Sequence, residues 1–228
     1  MAPSLTLFAS YMQGLEVGAT APVNSANPYT ILGPAVSTQY EVGIRDSHIK
    51  GISLSVSYFD ITRANAVVNP DTNVFEPSGD IHYYGMEGTL GIEILRRLKI
   101  DGALQWMRSV QRDPGHPTID GLAPENTPRA LGNLRLSYRL PWVPGLTLSA
   151  GFSAITKRYV NPQDQGAIPG YTLFTAGIGY AARVLDRRLL FQLYADNLAN
   201  TRYWNSVQTG TYGTGMARSI KMSLKVDL

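Results

Sequence analysis

From Ser219 to Leu228 the chain alternates: Ile220, Met222, Leu224, Val226 and Leu228 fall on one side of an extended backbone, and Ser219, Lys221, Ser223, Lys225 and Asp227 on the other. A period of two marks a strand with one apolar face, because successive side chains of a strand point to opposite sides of its sheet. Residues 130–140 repeat the pattern, with Leu134, Leu136, Tyr138 and Leu140 opposing Asn133, Arg135, Ser137 and Arg139. So do residues 146–154, with Leu146, Leu148, Ala150, Phe152 and Ala154 against Thr147, Ser149, Gly151 and Ser153. The same reading predicts strands near 4–13, 38–46, 51–65, 80–94, 98–111, 171–181 and 189–199, about ten in total. No segment carries a helical period.

The connections between these runs alternate in length. Those around 47–50, 95–97, 141–145 and 182–188 are short, and those around 14–37, 66–79, 112–128, 160–170 and 200–217 are long. In an up-and-down antiparallel sheet every second connection lies at the same end. The rhythm therefore predicts one end of tight turns and one of extended loops, as in outer-membrane barrels. An even number of strands leaves both termini at the tight-turn end. A soluble β-sandwich also alternates. However, several runs last about ten residues, longer than the ~5–6 usual in soluble strands and close to the ~9–11 that cross a bilayer with tilt. The polar faces carry Ser, Thr, Gly and Gln, as suits a wet lumen. Tyr11, Tyr40, Tyr84, Trp106, Tyr138, Trp142, Tyr159 and Tyr180 stand near strand ends, where interfacial girdles form.

Composition narrows the chemistry. The chain has 228 residues with a formal net charge of +3, and charged residues make up only 16% of it, against a typical ~25%. Its basic residues are scattered, so no footprint for nucleic acid emerges. No apolar stretch approaches the ~18 residues of a spanning helix, and mean hydropathy is −0.09. A barrel passes that test unseen. The absence of cysteine excludes disulfides and thiolate sites. The start of the chain, Met1-Ala2-Pro3, has neither the basic nor the apolar region of an export signal.

At this level the residues resemble the C-terminal barrel of TonB-dependent siderophore receptors. Ser4 to Gly14, SLTLFASYMQG, is similar to the family's strand of the type LTLYASYSQGLE. The likeness continues through Gln39 to Gly43, Ser57 to Ile61, and Gly85-Met86-Glu87-Gly88, which resembles an RGxE strand. It runs on through Asn126 to Arg129, Pro144 to Thr147, and Val160 to Tyr180 with Ile168 to Thr172 at its middle. Asp196 to Trp204, DNLANTRYW, is similar to ENLFDKRYY. The resemblance covers the whole chain and implies one domain, residues 1–228: an all-β, antiparallel up-and-down transmembrane β-barrel, about ten strands of a wall that has 22 in the family. The plug and the N-terminal segment that engages TonB are expected to be absent. Gly215 to Arg218 lacks the proline the family often places before that arginine, and Leu228 stands where a terminal aromatic is usual. Pairing of strand 4–13 with strand 219–228 would close a narrow ten-stranded barrel, since unpaired edges in hydrocarbon cost several kcal/mol per group.

Candidate chemistry is sparse. His48, His82 and His116 offer no zinc spacing. Asp80-Ile81-His82 resembles the Asp-x-His at the rim of ten-stranded omptin proteases, but there is no Asp-x-Asp to complete it, and a solvated pair at the strand entry is the expectation. Gly210 to Gly215, GTYGTG, lacks the ending of a phosphate loop and reads as an outer loop. The resemblance implies a receptor and transporter for ferric siderophores in the outer membrane of a Gram-negative bacterium, without enzymatic activity or cofactor. Its partners are then the iron chelate, the lipid bilayer and, through the absent N-terminal region, the TonB complex. Residues expected at the ligand are Tyr29, Phe75, Tyr83, Arg158, Tyr159, Arg202, Tyr203, Trp204 and Tyr212, aromatics for flat contact and arginines for ligand charge. Glu41, Arg45, Glu87, Arg135 and Arg139 are expected to pair across strands. An omptin-like protease and a soluble β-sheet binding protein are the alternatives.

Overall fold

The computed structural model describes residues 4–69, 71–184, 187–208 and 210–226. All regular structure in it is β. The strands are β1 (Leu5–Glu16), β2 (Ala35–Asp46), β3 (Ile52–Val68), β4 (Phe75–Ile94), β5 (Leu98–Arg112), β6 (Ala130–Arg139), β7 (Leu146–Ile155), β8 (Arg158–Tyr159), β9 (Ala167–Ile168), β10 (Tyr171–Val184), β11 (Arg187–Asp196), β12 (Trp204–Gln208), β13 (Thr211–Thr214) and β14 (Ser219–Val226). One ten-stranded sheet runs β1-β2-β3-β4-β5-β6-β7-β10-β11-β14, every neighbouring pair antiparallel. The two-stranded ribbons β8–β9 and β12–β13 stand in the last two long connections.

Register sorts the side chains as the alternation predicts. Tyr58 lies opposite Val42 and Met86, Leu136 opposite Ile100 and Ala150, and Ile178 opposite Leu148 and Leu193, all on one face. The other face carries Ser57 opposite Gly43 and Glu87, and Ser149 opposite Ser137 and Gly177. No second sheet covers the apolar face among the described residues. Leu7 is 77% exposed, Leu104 61% and Met222 73%. A soluble sandwich would bury these side chains, so the apolar face is the one that meets lipid. Tyr11, Tyr40, Tyr84 and Trp106 band it near the long loops, with Tyr11 and Tyr40 ring to ring at 5.0 Å. Tyr138 and Tyr180 band it near the tight turns, and Trp142 sits in the turn between β6 and β7.

Several expected boundaries move. The connection predicted over 66–79 is short, because β3 and β4 stay paired up to Val68 and Phe75, with a register shift between Ala64 and Ala66. Pro77, Ser78 and Gly79 read as loop residues, but the bulge at Asn65 and the left-handed Gly79 (φ 60°) absorb them within the ladder. The strand expected to run to 199 ends at Asp196. There Asn197 turns the chain at φ 50°, and its amide bonds Thr201 N and O and the Met216 carbonyl. Gly145 (φ 86°) makes the β6–β7 turn against the Ala181 carbonyl, which any Cβ would strike. β1 and β14 are the two edges of the sheet, and no pairing joins them among the described residues. The readings placed on Met1-Ala2-Pro3, Asp227 and Leu228 lie outside the described residues.

The expected cross-strand ion pairs do not form. Arg45 lies over the Phe8 ring at 4.5 Å, and Glu87 accepts from the Ser57 hydroxyl at 3.5 Å. Arg135 faces Asp101, but that carboxylate takes Lys99 of its own strand at 2.9 Å. Among the described residues Glu41, Arg45, Glu87, Arg135 and Arg139 make no ion pair, since most of their partners across the ladder are Ser, Gly or Thr.

Leu134→Arg, midway on β6 between the level of Trp106 and that of Tyr138, should cost about 2–4 kcal/mol and abolish insertion into lipid vesicles, whereas Asn133→Arg on the polar face should insert normally. Equal insertion of the two variants, followed by protease protection, would invert the assignment of faces.

Candidate functional site

Side-chain amides and one buried arginine tie the loops at the open end into two bundles. In the first, Asn27 bonds both the N–H and the carbonyl of Phe75, at 2.7 and 2.9 Å, and Asn73 donates to the Asn24 carbonyl at 3.1 Å. These bonds fasten residues 17–34 to the β3–β4 tip. In the second, Arg158 is only 3% exposed. Its guanidinium donates to Asn126 Oδ1 at 3.1 Å, to the Asn205 carbonyl at 2.6 Å and to the Trp204 carbonyl at 2.7 Å. Asn126 also accepts from Val207 N–H. Gln111, 2% exposed, donates to the Ala123 and Pro162 carbonyls. Three long loops are thereby locked together.

A cavity of about 490 Å³ opens between the two bundles on the lumen side. Phe75 and Tyr83 line it, with Arg63, Asn65, Gln111, His116 and Glu125. Arg63 Nε lies 2.5 Å from Glu16 Oε2, a pair that reaches from β3 to β1. The Tyr83 hydroxyl faces Arg63 and Thr127. The Asn65 amide nitrogen is buried without a partner.

The nine expected ligand residues therefore divide. Arg202, Tyr203 and Trp204 border a second recess of about 530 Å³ beside the β12–β13 ribbon. Tyr203 stacks on Tyr171 at 4.2 Å and covers Gly215, where a Cβ would collide with the ring. Trp204 meets Tyr212 at 5.3 Å. Tyr159 packs beneath Lys157 at 5.2 Å, and Tyr29 is exposed at φ 63° on the first loop. Arg158 bonds the loops through Nη1 and Nη2, and its Nε is buried without a partner. Arg63, Asn65 and Gln111 were not among the expected residues. The period of two places Arg63 and Gln111 on the polar face, which is the signal that finds them.

The histidines build no catalytic relay. His82 Nε2 lies 2.8 Å from Asp60 and its Nδ1 touches Arg112, on the outward face away from the cavity. His116 uses one nitrogen, Nδ1, for both Ser78 at 2.9 Å and Asp113 at 3.1 Å, so the ring does not bridge them. Among the described residues no His/Asp/Glu group is arranged to hold a metal. Burial pushes the Asp113 carboxyl up, but hydrogen bonds from Ser78, His116 and the Gly115 backbone outweigh it and hold the group below its ordinary value.

The family described as "TonB dependent receptor-like, beta-barrel" matches residues 1–198. The chain belongs to that family. The Ferrichrome receptor FcuA of Yersinia enterocolitica is 26% identical over 98% of this chain, which spans 30% of that receptor. The Ferrioxamine receptor of the same organism is 28% identical over 86% of this chain, which spans 28% of it. Among solved structures, BauA, the ferric preacinetobactin receptor of Acinetobacter baumannii, superposes with a TM-score of 0.80 at 25% identity, over 96% of this chain and 34% of its own. TonB-dependent receptors are outer-membrane transporters rather than enzymes, as the sequence predicts. In this member of the family, the ten-stranded sheet is the barrel-type wall and the two loop bundles stand at its rim.

Two outcomes follow from the loop contacts. Arg158→Ala removes three hydrogen bonds from a charged donor, about 1.5–3 kcal/mol each before relaxation. Hydrogen exchange in residues 204–214 should rise at least ~10-fold while the strand ladder stays protected. Asp113 is held below its unfolded value, so its contribution is complete above about pH 4 and is lost as pH falls through the lowered folded value. Exchange in residues 113–122 should rise over that acid window, and Asp113→Asn should remove the dependence.

Proposed function

We propose that the chain is part of the wall of an outer-membrane receptor that binds a ferric siderophore at its loop end. The cavity between the two loop bundles carries this reading: it opens on the lumen side, is walled by Phe75 and Tyr83, and offers polar groups from four strands and loops. Relatives named as receptors for ferrichrome and ferrioxamine, and the ferric preacinetobactin receptor among the solved structures, support the cargo. Tyr83 supplies flat contact from the wall. Arg202, Tyr203, Trp204 and Tyr212 form an outer lip that meets the chelate first, and Tyr29 and Tyr159 contribute from neighbouring loops. The carbonyl contacts of Arg158 suit it to holding that lip in place. The bilayer covers the apolar face. Energised release into the cell is assigned to a plug and a TonB-engaging segment, so the wall alone binds without transporting.

Trp204 provides the assay. The full chain, folded in detergent micelles, should show saturable fluorescence quenching by a ferric siderophore and none by the iron-free chelator at the same concentration. Tyr83→Ala should weaken binding about 5- to 10-fold, the loss of one aromatic contact. A chain that is folded by circular dichroism yet binds neither hydroxamate nor catecholate iron complexes sinks the proposal.

A further inference from the structure

We infer that the cavity selects a ferric chelate without net charge, of the tris-hydroxamate kind, over a trianionic tris-catecholate. The inference rests on the receptor reading above and adds the class of cargo. Three singly charged hydroxamates cancel the charge of the ferric ion, whereas three doubly charged catecholates leave three negative charges over. A pocket for the second must supply cations that are free to face it, because a buried anion without partners loses its hydration for nothing in return.

The loop end of this chain carries no net positive charge. Residues 17–34, the longest connection of the first bundle, contain no Asp, Glu, Lys or Arg at all. Across the connections 17–34, 69–74, 113–129, 156–170 and 197–218, the carboxylates are Asp71, Asp113, Asp120, Glu125 and Asp164. The cations are Arg129, Lys157, Arg158, Arg202 and Arg218, so five acids cancel five bases, although the whole chain carries +3. Of these cations Arg158 is buried and donates to carbonyls and Asn126. On the cavity wall Arg63 is matched by Glu16 from β1, and Glu125 is the carboxylate in the lining itself. The polar group left without a partner there is neutral: the buried amide nitrogen of Asn65, a donor suited to a carbonyl or hydroxamate oxygen.

The test compares two probes on the full chain folded in detergent micelles: a neutral ferric tris-hydroxamate and a trianionic ferric tris-catecholate, titrated by Trp fluorescence at low and high salt. The neutral complex should bind at least ~10-fold more tightly, with little salt dependence. Glu16→Gln, which frees the Arg63 cation, should narrow that ratio about 3- to 10-fold by improving the anionic complex alone. Asn65→Ala should weaken the neutral complex about 3- to 10-fold, as expected for one hydrogen bond. Equal or tighter binding of the catecholate complex overturns the charge selection and leaves the receptor reading standing. Binding of neither probe by folded protein overturns both.

Discussion

A backbone that crosses hydrocarbon has to satisfy its own hydrogen bonds, and a sheet does so only strand by strand, in register, along its whole height. That requirement shapes this molecule more than any side-chain core. The few fully buried apolar residues, such as Ala21, Phe59, Ile119 and Val207, are scattered through loops and lumen, not gathered into a layer. Stability comes from ladders such as β3 to β4, which pair from Ile52–Ile92 to Val68–Phe75. The apolar face is left for lipid, and polar side chains gather on the other side, where the loops can roof them.

Much of this architecture is legible in the sequence, because a two-sided environment writes itself as a period of two. All ten strands of the main sheet, their order and the end at which each connection lies follow from alternation and connection length. Errors fall where local chemistry competes with the ladder. Strand one was expected to stop at 13, but its ladder with β2 runs on to Glu16, the partner of Arg63. Gly79 reads as a loop residue and the third strand was expected to stop at Asn65, although a bulge there carries the hairpin on to Val68 and Phe75. Asn197 ends β11 three residues early through bonds to Thr201 and Met216, which alternation does not reveal.

The site was legible by residue type and less so by role. Phe75 and Tyr83 line the cavity, Tyr83 from the polar face that alternation gives it and Phe75 from a stretch read as a connection. Arg158 looked like a charge for cargo. Its burial comes from three loops that meet only in space, across up to 81 residues between Asn126 and Val207, and its carbonyl partners, Trp204 and Asn205, lie in the last of them. Pairwise charge matching failed on the lumen wall for a related reason. Asp101 has an arginine across the ladder and a lysine on its own strand, and only geometry decides between them.

Both β1 and β14 meet the tight-turn end, with Leu5 opposite Asp46 and Val226 opposite Leu189. Each hairpin thus leaves the membrane on the side where it entered. A wall built this way gains or loses strands two at a time without turning any remaining loop inside out, so its circumference and its sidedness vary independently. Evolution of pore width by duplication or deletion of single hairpins is therefore topologically free, while any change by one strand would invert everything downstream.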